Sequence, residues 1–299
     1  MPLSQYSTCQ PNAFTLELAN GLTIQGKHWP ASEEGVGMLP TLALHGWLDN
    51  CATYNLLGPA LHGDIYAVDL AGHGSSSHRP VGVRYHLVDN VDDVFAIADE
   101  LGFEQFNLMG HSMGAGISTY VAAIAPERIH RLILIEGIGT HTSPAEQAPD
   151  VLAKAIKDMR RAHRINMPVY GELADAVNAR KGVVGAISAD AATHLCERGL
   201  VEVSDGVTWS SDPRLKMGSA IRLTEDMVMA YLKKIAAPTL LIGAEQGFFP
   251  SIGPLKLRVE AVADLTLTTL PGNHHLHLEK DTCLPVVEAI NGFLLHEEL

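Results

Sequence analysis

The chain has 299 residues, 46% of them apolar and 18% charged, with 27 glycines and 16 prolines spread along it; this is a globular composition and excludes disorder or a disulfide-stapled miniprotein. Thirty-four acids against 21 bases give a net charge of −13, which repels phosphate backbones and anionic bilayers, so neither nucleic acid nor a membrane surface is an expected partner. Cys9, Cys51, Cys196 and Cys283 lie far apart with no CxxC pair, which argues against a zinc site or a disulfide framework and fits a reducing cytoplasm.

In chain order, residues 1–5 lack the basic-then-apolar pattern of a secretory signal. Phe14, Leu16 and Leu18 alternate with polar residues, Asn20-Gly21 supplies a turn, and Leu22 and Ile24 resume the alternation, which predicts a β-hairpin. Apolar runs at 41–44, 65–68, 106–109 and 132–135 read as strands buried on both faces. Between them Leu87, Val91, Val94, Ala98 and Leu101 recur at helical spacing, and a second helix is expected from Met113 to Ala125. The longest apolar stretch, around Gly114 to Ala125, is far short of the roughly 20 residues a membrane-spanning helix needs.

Strand–helix alternation builds a mostly parallel sheet. It stops near Gly139 and resumes at Pro238–Ile242, followed by a helix, a strand at 265–267 and a last helix from Leu284 to Leu295. Residues 1–139 and 235–299 therefore form one α/β core, and 140–234 are expected to be a helical lid with breaks at Pro168 and Gly182. In that interval Arg160, Arg161, His163 and Arg164 suit a solvated helix face better than an anion clamp, and Met159, Met167 and Tyr170 suit core packing.

The strand at 106–109 runs into Gly110-His111-Ser112-Met113-Gly114 and then a helix. That is the strand, sharp turn and helix of a nucleophile elbow, with Ser112 as the nucleophile. The turn crowds the positions two before and two after the serine, where a Cβ would clash. A serine hydroxyl needs a general base, usually a histidine oriented by a carboxylate. The base is expected in the segment Pro271-Gly272-Asn273-His274-His275-Leu276-His277-Leu278-Glu279, where more than one imidazole qualifies. A metal site at His274, His275 and His277 lacks a second ligand cluster, so no metal or other cofactor is expected.

The segments His45-Gly46-Trp47-Leu48-Asp49-Asn50, Asp69-Leu70-Ala71-Gly72-His73-Gly74-Ser75-Ser76, Gly110 to Gly114 and the late histidine loop together resemble the α/β-hydrolase superfamily. Within it, 45–50, 69–80 and Asp205-Gly206-Val207-Thr208-Trp209 resemble the serine hydrolase-like proteins. The resemblance implies an α/β-hydrolase fold with antiparallel N-terminal strands. It also implies that His274, two residues after Gly272 and five before Glu279, is the base, with His275 and His277 in the site wall. The amides of Trp47 and Met113 would form an oxyanion hole, and His45, Gly46, His111 and His275 would line the substrate site.

The expected acid after the strand at 238–242 is absent, because the turn reads Gly243-Ala244-Glu245-Gln246-Gly247 where the family usually has Asp. Two carboxylates are candidates: Glu136, at the end of the strand 132–135 where some branches such as certain haloalkane dehalogenases carry their acid, and Glu245. Serine rather than aspartate at 112 favours attack on carbonyls over displacement at saturated carbon. The expectation is a cytoplasmic serine hydrolase acting on a small acyl substrate, carboxylic esters first. Thioesterase, carbon–carbon hydrolase and perhydrolase chemistry on the same residues, and a non-catalytic binding protein, are the alternatives.

Overall fold

The computed structural model describes residues 9–161, 165–183, 185–248 and 254–295; residues 1–5 and His163 and Arg164, which figure in the sequence reading, lie outside them. The chain opens with the hairpin β1 (Asn12–Glu17) and β2 (Thr23–Trp29), which sets Leu16 opposite Ile24. Then come β3 (Thr41–Leu44), β4 (Ile65–Val68), α1 (Asp89–Glu100), β5 (Phe106–His111), α2 (Met113–Ile124) and β6 (Ile129–Ile135). Residues 140–234 contain α3 (Ala148–Met159), β7 (Val169–Tyr170), α4 (Leu173–Arg180), α5 (Ala189–Gly199), β8 (Leu200–Val203), β9 (Gly206–Trp209) and α6 (Glu225–Leu232). The chain then completes the sheet with β10 (Thr239–Gln246), α7 (Leu255–Ala261), β11 (Leu265–Asn273) and α8 (Cys283–Leu295).

The main sheet has eight strands in the order β1-β2-β4-β3-β5-β6-β10-β11, antiparallel through the first three and parallel from β4 onward. Period-2 alternation divides its buried side chains between two cores. Leu42, Leu44, Leu108, Leu132, Leu134 and Leu241 pack with Val94 and Ile97 of α1 and Ile117 and Val121 of α2. Ala43, Met109, Ile133, Ile135, Leu240 and Ile242 pack on the other face with Tyr54 and with Val286 and Ile290 of α8. Each fully buried leucine or isoleucine contributes about 1.5–3 kcal/mol, so the central strands are the most strongly anchored part of the molecule. Because β3, β5, β6, β10 and β11 run parallel, the residues that follow them emerge along one edge, where sites of open α/β sheets form. No helix among the described residues is long and apolar enough to cross a membrane.

Residues 140–234 differ from the all-helical expectation, because they carry a three-stranded antiparallel sheet, β7-β9-β8. The cause is local: Leu200, Val201 and Val203, then Val207, Thr208 and Trp209, flank the two-residue turn Ser204-Asp205, and β-branched and aromatic residues favour a pleated strand over a helix. The helices have caps of their own, with Ser188 accepting from the Ala191 amide at the start of α5 and Thr224 from the Met227 amide at the start of α6.

This segment is fastened to the sheet by buried polar contacts. Arg198 of α5 places its Nε 2.9 Å from Asp69 Oδ2 and 3.0 Å from Oδ1, and Asp69 also accepts from the amides of Cys51 and Ser75. Burial pushes the Asp69 carboxyl up, but Arg198 and these amides outweigh it and hold it below its usual value. A depressed carboxyl stabilises the fold above its unfolded pKa and loses that contribution as acid protonates it. Replacing Arg198 with Met leaves the Asp69 charge buried without its partner, and should cost about 3 kcal/mol in urea unfolding at neutral pH. The gap from wild type should narrow as the pH falls toward and below about 4.

Candidate active site

Ser112 sits between the end of β5 and the start of α2 with φ 52° and ψ −109°, a conformation that costs a non-glycine residue roughly 1–3 kcal/mol. The turn is tight: a Cβ on Gly110 would lie 2.4 Å from the Gly114 carbonyl carbon, and one on Gly114 would lie 2.2 Å from the Leu44 carbonyl oxygen. Serine at a helix N-cap ordinarily accepts an amide of the first turn, but Ser112 makes no such bond. Its hydroxyl instead donates to His274 Nε2 at 3.0 Å.

His274 follows β11 and is buried. Its Nδ1–H donates to Glu136 Oε2 at 2.9 Å, which fixes the tautomer and leaves Nε2 as the acceptor for Ser112. Glu136 lies just past β6 with φ 52° and a buried carboxylate. Amides of β10 and of the turn after it reach that carboxylate: Ala244 N–H, within the strand, donates to Oε1 at 2.6 Å and Phe248 N–H, past its end, to Oε2 at 2.8 Å. A Cβ on Gly247 would fall 2.1 Å from Glu136 Oε2, so the position where the family's usual acid would emerge is already filled by a carboxylate reaching from the neighbouring strand. Glu245 is exposed, and the His274 Nδ1 position is taken by Glu136. The Phe248 ring lies against the His274 ring, centroids 4.3 Å apart.

Several residues expected to line a substrate site are buried and hydrogen-bonded within the fold. His45 donates from Nδ1 to the Gly46 carbonyl and accepts from the Leu70 amide at Nε2, so both nitrogens are spent within the fold; burial pushes its pKa down and keeps it neutral. His111 donates from Nε2 to the His274 carbonyl at 2.8 Å, holding the loop that carries His274. Burial, and then the rings of His277, His274 and His275, push the His111 pKa well below the ordinary value. His275 is buried and places Nε2 3.1 Å from Asp49 Oδ2, while His277 lies 2.8 Å from Thr53 Oγ1. Gly46 is buried as well, and a Cβ there would lie 3.0 Å from His111 Nδ1. His45, Gly46, His111 and His275 are all buried.

Two supports gave no signal as such in the sequence. Asn273 shapes the loop by accepting the His275 amide and donating from Nδ2 to the Ala186 carbonyl. Arg180 of α4 donates to Asp49 Oδ1 at 2.7 Å and to the Val183 carbonyl at 2.6 Å. Burial pushes the Asp49 carboxyl up, but His275, Arg180 and His111 outweigh it and hold it well below the usual carboxylate range. Asp49, His111 and His275 bring metal-type donor atoms within 4.8 Å of one another. They do not fit a cation, because the Arg180 guanidinium already neutralises the carboxylate and lies 3.4 Å from His275 Nε2.

Met113 is the first residue of α2, so its amide is among the donors a helix leaves unpaired at its N-terminus. The first turn of α2 abuts the end of β3 at Gly114, and three residues beyond Leu44 the chain makes a turn closed by the Asp49 amide on the Gly46 carbonyl. Trp47 and Leu48, the latter at φ 61°, occupy that turn, and the Trp47 indole N–H donates to the Leu215 carbonyl at 2.9 Å. Leu48, Ser112 and Glu136 are the non-glycine residues with positive φ among the described residues, and each follows a parallel strand of the central sheet. A cleft of about 130 Å³, open to solvent, lies between the Trp47 turn and the 140–234 segment; Ser112 and His274 are not among its walls.

Known proteins share this architecture. Residues 40–162 match the family model described as the alpha/beta hydrolase fold. A serine hydrolase-like protein of Dictyostelium discoideum is 29% identical across 95% of this chain and 82% of its own length. A serine hydrolase-like protein of Danio rerio is 29% identical across 85% of this chain and 81% of its own. The crystal structure of a hypothetical protein from Pseudomonas aeruginosa superposes with a TM-score of 0.88 at 37% identity, covering 96% of this chain and all of that one. With the nucleophile elbow, the mixed eight-stranded sheet and these relatives together, the chain belongs to the α/β-hydrolase fold family and is similar to the serine hydrolase-like proteins.

Proposed function

We propose that the protein is a serine hydrolase that cleaves small carboxylic esters through an acyl-enzyme intermediate. The observation that carries this reading is the continuous chain Ser112 Oγ, His274 Nε2, His274 Nδ1, Glu136 Oε2, with links of 3.0 and 2.9 Å. In it, Ser112 Oγ attacks the ester carbonyl while its proton passes to His274 Nε2, and the new oxyanion is received by the amides of Met113 and Trp47. Collapse of the tetrahedral adduct breaks the bond to the alcohol, which takes the proton from His274. Water then gives a proton to the same nitrogen, attacks the acyl carbon and releases the acid, restoring Ser112. Glu136 holds the imidazole orientation and stabilises the imidazolium in both halves. The 140–234 segment acts as a lid over the acyl and alcohol groups.

A fluorophosphonate should label the protein stoichiometrically at Ser112, and Ser112→Ala should lose both labelling and p-nitrophenyl ester turnover, the latter by about 10⁶. Absence of labelling in the wild type would instead favour a binding protein built on the same fold. Product analysis on thioester and diketone substrates separates the other acyl chemistries.

The acid has its own tests. Glu136→Gln removes the charge facing His274 and should lower kcat by about 10⁴, whereas Glu245→Gln, at an exposed position, should stay within two-fold of wild type. Gly247→Ala places a methyl group where the Glu136 carboxylate lies, so labelling of Ser112 should slow at least ten-fold while circular dichroism stays native. Full turnover in both Glu136→Gln and Gly247→Ala would remove Glu136 from the mechanism.

A further inference from the structure

The cleft beside Trp47 has a charge character opposite to that of the whole molecule. Its apolar walls come from Trp47 of the core and from Met167, Tyr170 and Trp209 of the 140–234 segment, with Tyr170 and Trp209 set edge to face. Its charged lining residues are Arg180 and Lys216, and no Asp or Glu is among the described residues that wall it, although the chain carries a net charge of −13. The two cations are not equivalent. Arg180 is buried and spent on Asp49 and the Val183 carbonyl.

Lys216 is exposed, and its ammonium lies 3.9 Å from Met167 Sδ, a weak acceptor that leaves the positive charge uncompensated. It forms no ion pair among the described residues. Lys216 is nevertheless held at the cleft, because the preceding residue, Leu215, is buried and its carbonyl accepts the Trp47 indole N–H. Three aromatic rings and a thioether facing one uncompensated ammonium suit a ligand that is apolar over most of its length and anionic at one end.

We propose that this cleft binds the apolar portion of an amphipathic organic anion, with Lys216 receiving its carboxylate. The proposal deepens the hydrolase reading by giving the substrate a negatively charged end remote from the scissile bond. It rests on that reading only for the ligand's being a substrate. Trp47 links the two functions: its backbone belongs to the turn beside Ser112, and its ring forms the wall of the cleft.

The test is direct binding to Ser112→Ala, which hydrolyses nothing, read by tryptophan fluorescence. Of the three tryptophans, Trp29 is buried in the core, so a ligand in the cleft reports through Trp47 and Trp209. The probes are 4-phenylbutanoate and its neutral isostere 4-phenylbutanamide. The acid should bind about five-fold more tightly at low salt, the ratio an exposed ion pair supplies, and the advantage should shrink at high salt. Lys216→Met should bring the ratio to about one without changing affinity for the amide. Lys216→Arg should preserve the preference, and Trp209→Ala should weaken both probes alike. Equal affinities in the parent, a preference that survives Lys216→Met, or no binding of either probe would overturn the proposal. Failure of the hydrolase reading is seen separately, as no fluorophosphonate labelling of the wild type while the binding preference persists.

Discussion

One buried carboxylate organises the molecule's working edge. Glu136 stands at the end of β6 in a left-handed backbone conformation, and taking its charge out of water costs several kcal/mol unless hydrogen bonds replace the lost hydration. The replacements come from three directions: Ala244 within β10, Phe248 on the turn after it, and His274 on the loop after β11. Each of those groups is positioned by parallel pairing of β6, β10 and β11. The sheet therefore stabilises a charge that the local chain conformation disfavours, and the charge in turn fixes the imidazole. The strained backbones of Ser112 and Glu136 are neighbours in the same sense, since the Ser112 amide donates to the Ile135 carbonyl just before Glu136. Strain at both positions, roughly 1–3 kcal/mol each, is sustained by the best-packed strands of the fold.

The histidines clustered around this carboxylate are all buried. His45, His111 and His277 are fully buried and their pKa values are lowered, so they stay neutral and act through fixed tautomers and ring packing. Neutral neighbours do not compete with His274 for a proton. The second buried acid of the cluster, Asp49, has its own cation in Arg180, so it adds little net field at the base. The cluster thus places one carboxylate, Glu136, in hydrogen-bonding contact with the imidazole that faces Ser112.

The sequence carried most of the frame. Alternation and apolar runs located the hairpin and the central strands, because residues buried on both faces leave no room for another pattern. The elbow was visible because its glycines answer to sterics at fixed offsets from Ser112. The carboxylate that meets His274 was harder to read. Chain order points to the turn after β10, whereas the carboxylate arrives from β6 across the sheet, a contact that depends on strand order and not on spacing. The same limit hid Arg180 and Asn273, whose partners are 131 and 87 residues away. The burial of His45 and His111 was not legible, because a motif gives residue type without solvent exposure. The strands of the 140–234 segment were missed because its overall composition is helical, although the alternation across Ser204-Asp205 was present.

The attachments of that segment are uneven along its length. Arg180 ties α4 to Asp49 and approaches His275; the Leu215 carbonyl holds the Trp47 ring; the Ala186 carbonyl holds Asn273. These anchors land on the two loops that carry the proposed oxyanion donor and the base, not on distant parts of the sheet. A displacement of α4 would break a buried ion pair and disturb both loops at once. In contrast, α3 buries Ala155 alone among its residues and has Leu152 and Ile156 exposed, so its hold on the core is far weaker. On the α4 side the segment and these two loops are therefore joined through hydrogen bonds, whereas α3 buries Ala155 alone.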